Sequence, residues 1–300
     1  MPISNHAEHM TDLDVHTHLA PINAARLECM PGVRWLPEQT VLELDGHRVG
    51  VRALFEPARL LEWMRTHNIA RALVSIPPPL YRQHLPEDQA LEWARYVNQE
   101  LLAVCASSEG RLSAMLHLPL EHPGLLARLI DEFQDTPFGG VAIAAGGHQS
   151  IVYSDEHYAP LWAWLNDRGV FTFLHPGACT DTRLAKFYLE NLLGNPYETG
   201  VAASHLVLAG IPARYPRIRF CLAHAGGAFT ALIGRLQKGY DTQRPGVDLS
   251  VEPPLQAARR FYADGIAHHP AGLHLAREVL GEDKLLFGSD WPFPMGLAKP

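Results

Sequence analysis

Five residues of metal-ligand or proton-transfer type stand at the ends of short apolar runs that lie far apart in the chain. His16 and His18 end Leu13–His18, His175 closes Val170–His175, His224 follows Phe220-Cys221-Leu222-Ala223, and Asp290 follows Leu286-Phe287-Gly288-Ser289. In a strand, residues two apart face the same side, so His16 and His18 present two imidazoles to one ion. A polar strand end open to solvent competes as a reading of that pair alone, in a chain with 17 His. Recurrence at other run ends outweighs it. Imidazole and carboxylate donors without thiolate suit zinc first, with manganese and iron(II) as alternatives, and an open coordination position suits catalysis rather than structure. A divalent metal held this way lowers the pKa of a water toward neutrality.

The elements that must position these groups are legible as alternation. Apolar runs read as strands at Leu13–His18, Ala70–Ile76, Arg111–Leu118, Gly140–Ala145, Val170–His175, Arg217–Ala223, Phe261–Asp264 and Lys284–Ser289. Between them, Ala58–Thr66, Asp88–Ala106, Pro123–Phe133, Tyr158–Arg168, Ala228–Lys238 and Ala271–Leu280 carry helical spacing. Eight strands alternating with helices predict a (β/α)8 barrel of one domain over residues 1–300, which gathers all its functional groups on the C-terminal rim. Two segments exceed a bare barrel: Pro21–Arg52, rich in turn residues, and Asp181–Leu208, whose helical spacing is broken at Gly194-Asn195-Pro196. Both are expected as loops or insertions on the catalytic face.

Composition narrows the partners. The 300 residues are 47% apolar and 19% charged, with a formal charge of -7 and no basic stripe, which argues against nucleic acid and anionic membranes and for a small-molecule substrate. Cys29, Cys105, Cys179 and Cys221 form no C-x-x-C pair and are read as reduced, which points to the cytoplasm. Residues 1–10 lack an apolar core, and no run of about 18 uncharged apolar residues occurs, so no membrane targeting is expected.

The chain resembles the amidohydrolase-related decarboxylases typified by aminocarboxymuconate semialdehyde decarboxylase. The resemblance runs from Asp14 to Phe293 and rests on D-V-H-T-H, F-L-H-P-G, N-P-Y-E-T, L-A-H-A-G-G-A-F, G-R-L-Q-K-G-Y and F-G-S-D-W-P-F-P, in the family's order and spacing. It implies that His16, His18, His175 and Asp290 ligate the metal while His224 exchanges protons beside it. It implies that Arg48 grips a substrate carboxylate, that Phe293 walls the pocket, and that Arg244 reaches into the site of a neighbouring subunit, hence a homodimer. One metal is implied rather than two, because Val141-Ala142-Ile143-Ala144-Ala145 offers no bridging lysine or carboxylate where two-metal relatives carry one. Asn191 stands where the reference decarboxylases place a pocket tryptophan, Leu44 replaces a lysine, and His224-Ala225-Gly226-Gly227 replaces H-G-G-G. The chain stops ten residues after Asp290, where family members continue into an eighth helix. His117, at the end of the third run, is read as a structural histidine.

The implied reaction is non-oxidative decarboxylation of an unsaturated or aromatic carboxylic acid, without O2 or an organic cofactor. The alternative is hydrolysis or hydration of a lactone, amide or unsaturated dicarboxylate, with His224 and Asp290 managing protons, because both chemistries need the same ligands. A barrel kept as a binding or sensory module is a third reading, opposed by the complete ligand set.

Overall fold

The computed structural model describes residues 11–297. After β1 (Thr11–His18) comes a small antiparallel sheet of β2 (Val33–Leu36), β3 (Val41–Leu44) and β4 (His47–Val49). The chain continues through β5 (Ile69–Ser75), β6 (Leu112–His117), β7 (Gly140–Ala145), β8 (Phe171–Pro176), β9 (Arg219–Leu222), β10 (Tyr262–Asp264) and β11 (Leu285–Leu286). β1 and β5 to β11 form one parallel sheet in chain order. It closes on itself: the amides of Val15, His18 and Asp290 donate to the carbonyls of Phe287, Trp291 and His16 at 3.0, 2.8 and 2.8 Å. All eight expected strands are present, and the architecture is the (β/α)8 barrel.

Helices cover the outside. They are α1 (Pro57–Thr66), α2 (Glu87–Ala106), α3 (Pro123–Phe133), α4 (Ala159–Arg168), α5 (Asn195–Leu208), α6 (Ala228–Asp241) and α7 (Pro270–Leu280), joined by shorter turns. Proline in the first turn of α1, α3, α4, α5 and α7 supplies a preset φ where no amide partner is needed. α4 ends at Gly169, whose φ of 61° lets its amide and that of Val170 return to Asn166 and Leu165. α3 buries Leu125, Leu126, Leu129 and Phe133 along one face, each worth about 1.5–3 kcal/mol of apolar transfer. Inside the barrel, Val15, Leu73, Met115, Ala142, Phe173 and Cys221 fill the floor below the rim. His175 lies two residues beyond Phe173 on the same side, so a packing position becomes a site position one step further along the strand.

Two segments carry structure beyond the sequence reading. Pro21–Arg52, expected as a loop or insertion after β1, holds the three-stranded sheet. Asp45 and Gly46, with φ of 52° and 84°, join the paired residues Leu44 and His47 as a two-residue hairpin turn. The Asp45 carboxylate accepts two bonds from Arg82, at 2.8 and 2.7 Å, and the buried guanidinium thereby ties the hairpin to the loop after β5. The break expected at Gly194-Asn195-Pro196 is absent: Glu190–Gly194 forms a π-turn that runs directly into α5. Its wider i→i+5 bonding, seen in the Asn195 amide donating to Glu190, relieves the crowding that Pro196 would cause in an α-turn. Among the described residues no helix follows β11.

Candidate metal centre

Side chains from β1, β8 and the loop after β11 meet at the barrel mouth. The ligand-type atoms of His16, His18, His175 and Asp290 all lie within 4.8 Å of one another, and all four residues are buried. His16 Nε2 stands 3.1 Å from His18 Nε2 and 3.4 Å from Asp290 Oδ1, and His18 Nε2 stands 3.2 Å from that oxygen. The outer nitrogens are engaged elsewhere. His16 Nδ1 lies 2.7 Å from Asp264 Oδ2, His18 Nδ1 3.0 Å from Ser75 Oγ, and His175 Nδ1 3.0 Å from the Pro176 carbonyl. A carboxylate and a carbonyl only accept, so His16 and His175 donate from Nδ1, and in the neutral ring Nε2 keeps its lone pair. Several lone pairs and a carboxylate aimed at one point repel unless a cation lies among them. The donor set fits one divalent ion with nitrogen and oxygen ligands.

Local backbone geometry places these groups. β1 carries an irregularity in register between Asp14 and Thr17, and Asp14 Oδ1 accepts the amides of His16 and Ser289 at 3.0 Å each. Asp290 adopts a left-handed φ of 58°, held by its amide bond to the His16 carbonyl. The electrostatics are those of a site that favours positive charge. Burial alone would lower the His16 pKa, yet the facing Asp290 and the bond to Asp264 push it up to about 10. Burial raises Asp290, but His16 and His18 hold it well below the carboxylate range. Burial and the neighbouring His16 keep His175 well below the usual histidine value. The charges around the cluster are those of a site arranged to hold a cation.

His224 stands beside the quartet, its ring centroid 5.3 Å from those of His16 and His175. Its Nδ1 is buried with no partner among the described residues, and burial pulls its pKa down to about 4, so it is neutral near pH 7. Phe293 packs its ring edge-on to His18 at 5.5 Å. The structure thus brings His16, His18, His175, His224, Asp290 and Phe293 together. It does not bring Arg48, Asn191 or Arg244 into hydrogen bonds or ion pairs with them. Arg48 is exposed on β4, donating to Gln39 and lying 3.9 Å from Glu43. Asn191 lies part-exposed on the π-turn. Arg244 follows α6 on the surface and donates to the Thr242 carbonyl at 3.2 Å.

Among the buried acids that escaped the sequence reading, two tie together the segments around the rim. Asp264 ends β10, a strand-end carboxylate like Asp290, and that position was the available signal. Glu198 belongs to the N-P-Y-E-T motif. Its carboxylate takes the Cys179 thiol and the amides of Thr180 and Gly147, so α5 clamps the loops that follow β7 and β8.

The amidohydrolase family model matches residues 13–300. The chain belongs to the amidohydrolase family. It is 24% identical to 2-amino-3-carboxymuconate-6-semialdehyde decarboxylase of Dictyostelium discoideum, over 96% of this chain and 83% of that one. It is 26% identical to gamma-resorcylate decarboxylase of Rhodococcus jostii, over 78% of this chain and 76% of that one. Among solved structures, 5-carboxyvanillate decarboxylase from Novosphingobium aromaticivorans, complexed with manganese and 4-hydroxy-3-methoxy-5-nitrobenzoic acid, superposes with a TM-score of 0.79. That likeness covers 97% of this chain and 89% of that one at 18% identity, and it shows the shared fold. The resemblance read from the motifs is therefore borne out at the level of the family and of its decarboxylase relatives. No helix of the described residues is long and apolar enough to cross a membrane.

Proposed function

We propose that this amidohydrolase is a metal-dependent decarboxylase that removes CO2 non-oxidatively from an unsaturated or aromatic carboxylic acid. The observation that carries the reading is the buried quartet of His16, His18, His175 and Asp290 beside His224, whose Nδ1 has no partner among the described residues, in a chain that matches decarboxylases over most of its length. The quartet holds one divalent metal. Zinc is the first choice, with manganese or iron(II) as alternatives, and the manganese bound in the solved relative makes both zinc and manganese necessary in any test. The metal, when bound, polarises a substrate oxygen next to the departing carboxylate and stabilises the negative charge left as CO2 leaves.

The other roles fall to the chain's own residues. A neutral imidazole carries one N–H and one lone pair, so His224 passes its N–H proton to the carbon that loses CO2 while its other nitrogen takes one up from solvent water, which restores the neutral ring and supplies the hydrogen that replaces CO2. Asp290 is both a ligand and the carboxylate positioned to assist that transfer. Phe293 walls the site beside His18. Arg48, carried by the hairpin that Arg82 ties down, is the group for a substrate carboxylate, its nearest partner being the uncharged Gln39. Asn191 lends the pocket a polar edge. Arg244 completes the site of a second subunit in a homodimer. Four free cysteines are in keeping with a cytoplasmic enzyme.

The test supplies zinc- or manganese-loaded protein, without O2, with muconate semialdehydes and hydroxybenzoates labelled at the carboxyl carbon. Release of labelled CO2 is the expected outcome. A product that retains the label and has gained water would assign the same site to hydrolysis or hydration instead.

A further inference from the structure

One carboxylate links the β1 histidine to the turn that carries His224. Asp264 ends β10, is fully buried, and is hydrogen-bonded on every side. Its Oδ2 accepts from His16 Nδ1 at 2.7 Å and from the His224 amide at 2.9 Å. Its Oδ1 accepts from the amides of Ala225 and Ile266, each at 3.0 Å. A carboxylate has about four acceptor positions, so none is left over. The turn it holds is unusual. His224 and Ala225 adopt left-handed φ values of 55° and 54°, which non-glycine residues keep only where their surroundings enforce them. The approach of Asp264 to His16 is also protected from the far side, since a Cβ on Gly288 would lie 2.7 Å from the Asp264 Cβ and 2.8 Å from the His16 Cβ.

We propose that Asp264 is a positioning residue that fixes which nitrogen of His16 faces the metal and, through the main chain of residues 224–225, where the His224 imidazole stands. This rests on the reading of His16 as a metal ligand. The chemistry demands a carboxylate. An asparagine in its place has one oxygen and one NH2 group, so in either orientation it sets a donor against two donors. With the NH2 toward β1, it forces His16 Nδ1 to accept, which moves the ring proton to Nε2 and removes the lone pair the metal needs. With the NH2 reversed, it opposes the amides of Ala225 and Ile266 and releases the turn.

The experiment uses zinc as the probe. Metal-free wild type, Asp264→Asn and Gly288→Ala are titrated with zinc against a chromophoric chelator, and long-range 1H–15N spectra of the zinc-loaded wild type report which His16 nitrogen carries the proton. The expected result is zinc affinity about 10- to 100-fold weaker in Asp264→Asn, a loss in the same direction in Gly288→Ala, and a protonated Nδ1 on His16 in the wild type. Displaced His224 ring signals are expected in Asp264→Asn. Wild-type affinity in Asp264→Asn overturns the inference alone. A His16 protonated at Nε2 in the zinc-loaded wild type overturns the inference together with the ligand reading, because that nitrogen then has no lone pair for the metal, and this readout survives even if a variant fails to fold. Wild-type protein without zinc affinity overturns the ligand reading, and the inference with it.

Discussion

The barrel mouth has two buried polar sides on which the same desolvation ends differently. Around β1, β10 and the loop after β11, His16 is buried against Asp264 and Asp290, and it is pushed up to about 10 although burial pulls the other way. Around the ends of β5 and β6, Tyr81, His117 and Glu121 are as deeply placed, but Tyr81 Oη, His117 Nδ1 and Glu121 Oε1 have no partner among the described residues. There, burial alone takes His117 down to about 4 and the Tyr81 phenol well above its usual value, and burial raises Glu121 to about 7 against the smaller downward pull of its own amide, His122 and Gln83. Stacking of Tyr81 on His117, with centroids 5.2 Å apart, adds packing without charge. Burial penalises charge on both sides, and an opposite charge within about 4 Å decides whether that penalty is overcome. One side is built to hold a cation and the other to stay neutral.

The largest expected effect separates ligand from proton carrier on the charged side. His16→Ala loses bound metal and activity together, because it removes one of four donors and leaves two buried carboxylates facing each other. His224→Asn keeps the metal and loses on the order of 10²-fold or more in kcat, as for an acid/base group. Metal analysis after dialysis, paired with turnover, checks both. Metal lost from His224→Asn would make His224 a ligand, and metal retained by His16→Ala would remove the basis for calling this side the metal centre.

The strands and the quartet are legible in the sequence for one physical reason. Parallel strands covered on both faces read as continuous apolar runs, and ligand-type residues at the ends of such runs have only one rim to occupy. Asp45-Gly46 carried an equally physical hairpin signal. Val33-Arg34-Trp35-Leu36 is short and largely part-exposed, so nothing beyond that turn marked the small sheet. Gly194-Asn195-Pro196 reads as a break because glycine and proline usually are breakers, and the π-turn that absorbs them is a matter of backbone bonding invisible in residue types. Asp264 is hidden differently. A run-ending Asp looks alike whether it meets solvent or four N–H groups, and its partner His16 is 248 positions away. The roles proposed for Arg48, Asn191 and Arg244 involve a substrate or a second subunit, outside the chain itself, and resemblance alone singled these residues out.

A smaller effect tests whether the charged side is completed by a neighbour. If Arg244 serves the partner's site, Arg244→Ala and His16→Ala are each impaired, and mixing them under subunit exchange rebuilds one intact site per heterodimer while the other carries both defects. Activity recovered toward half of the wild-type level per heterodimer, and so toward about a quarter for an equal, fully exchanged mixture, is expected. No recovery after exchange is demonstrated by mass would assign Arg244, surface-exposed and bonded to the Thr242 carbonyl, to its own chain.

The smallest effect lies on the neutral side and appears in stability rather than turnover. His117 falls from 6.5 to about 4 on folding. Between those values the unfolded chain binds the extra proton, so this histidine makes stability rise with pH across the window. Glu121 rises from 4.5 to about 7. The folded state now holds the extra proton, so its contribution is present below pH 4.5 and is lost as pH climbs through 7. Each slope amounts to roughly 1.4 kcal/mol per pH unit at most, and from pH 4.5 to 6.5 they oppose one another and nearly cancel. Each single variant should therefore unmask the other group. Relative to wild type, Glu121→Gln should gain stability steadily as pH rises from 4.5 to 7, because only the histidine slope remains. His117→Leu should gain it as pH falls from 6.5 to 4, because the neutral side chain no longer resists protonation. Urea midpoints at half-unit pH steps measure both differences, and titration of the metal ligands, common to all three proteins, drops out of them. Flat differences for both variants would mean that these buried groups find partners in solution, such as ordered water, and that the two sides of the mouth are not opposites after all.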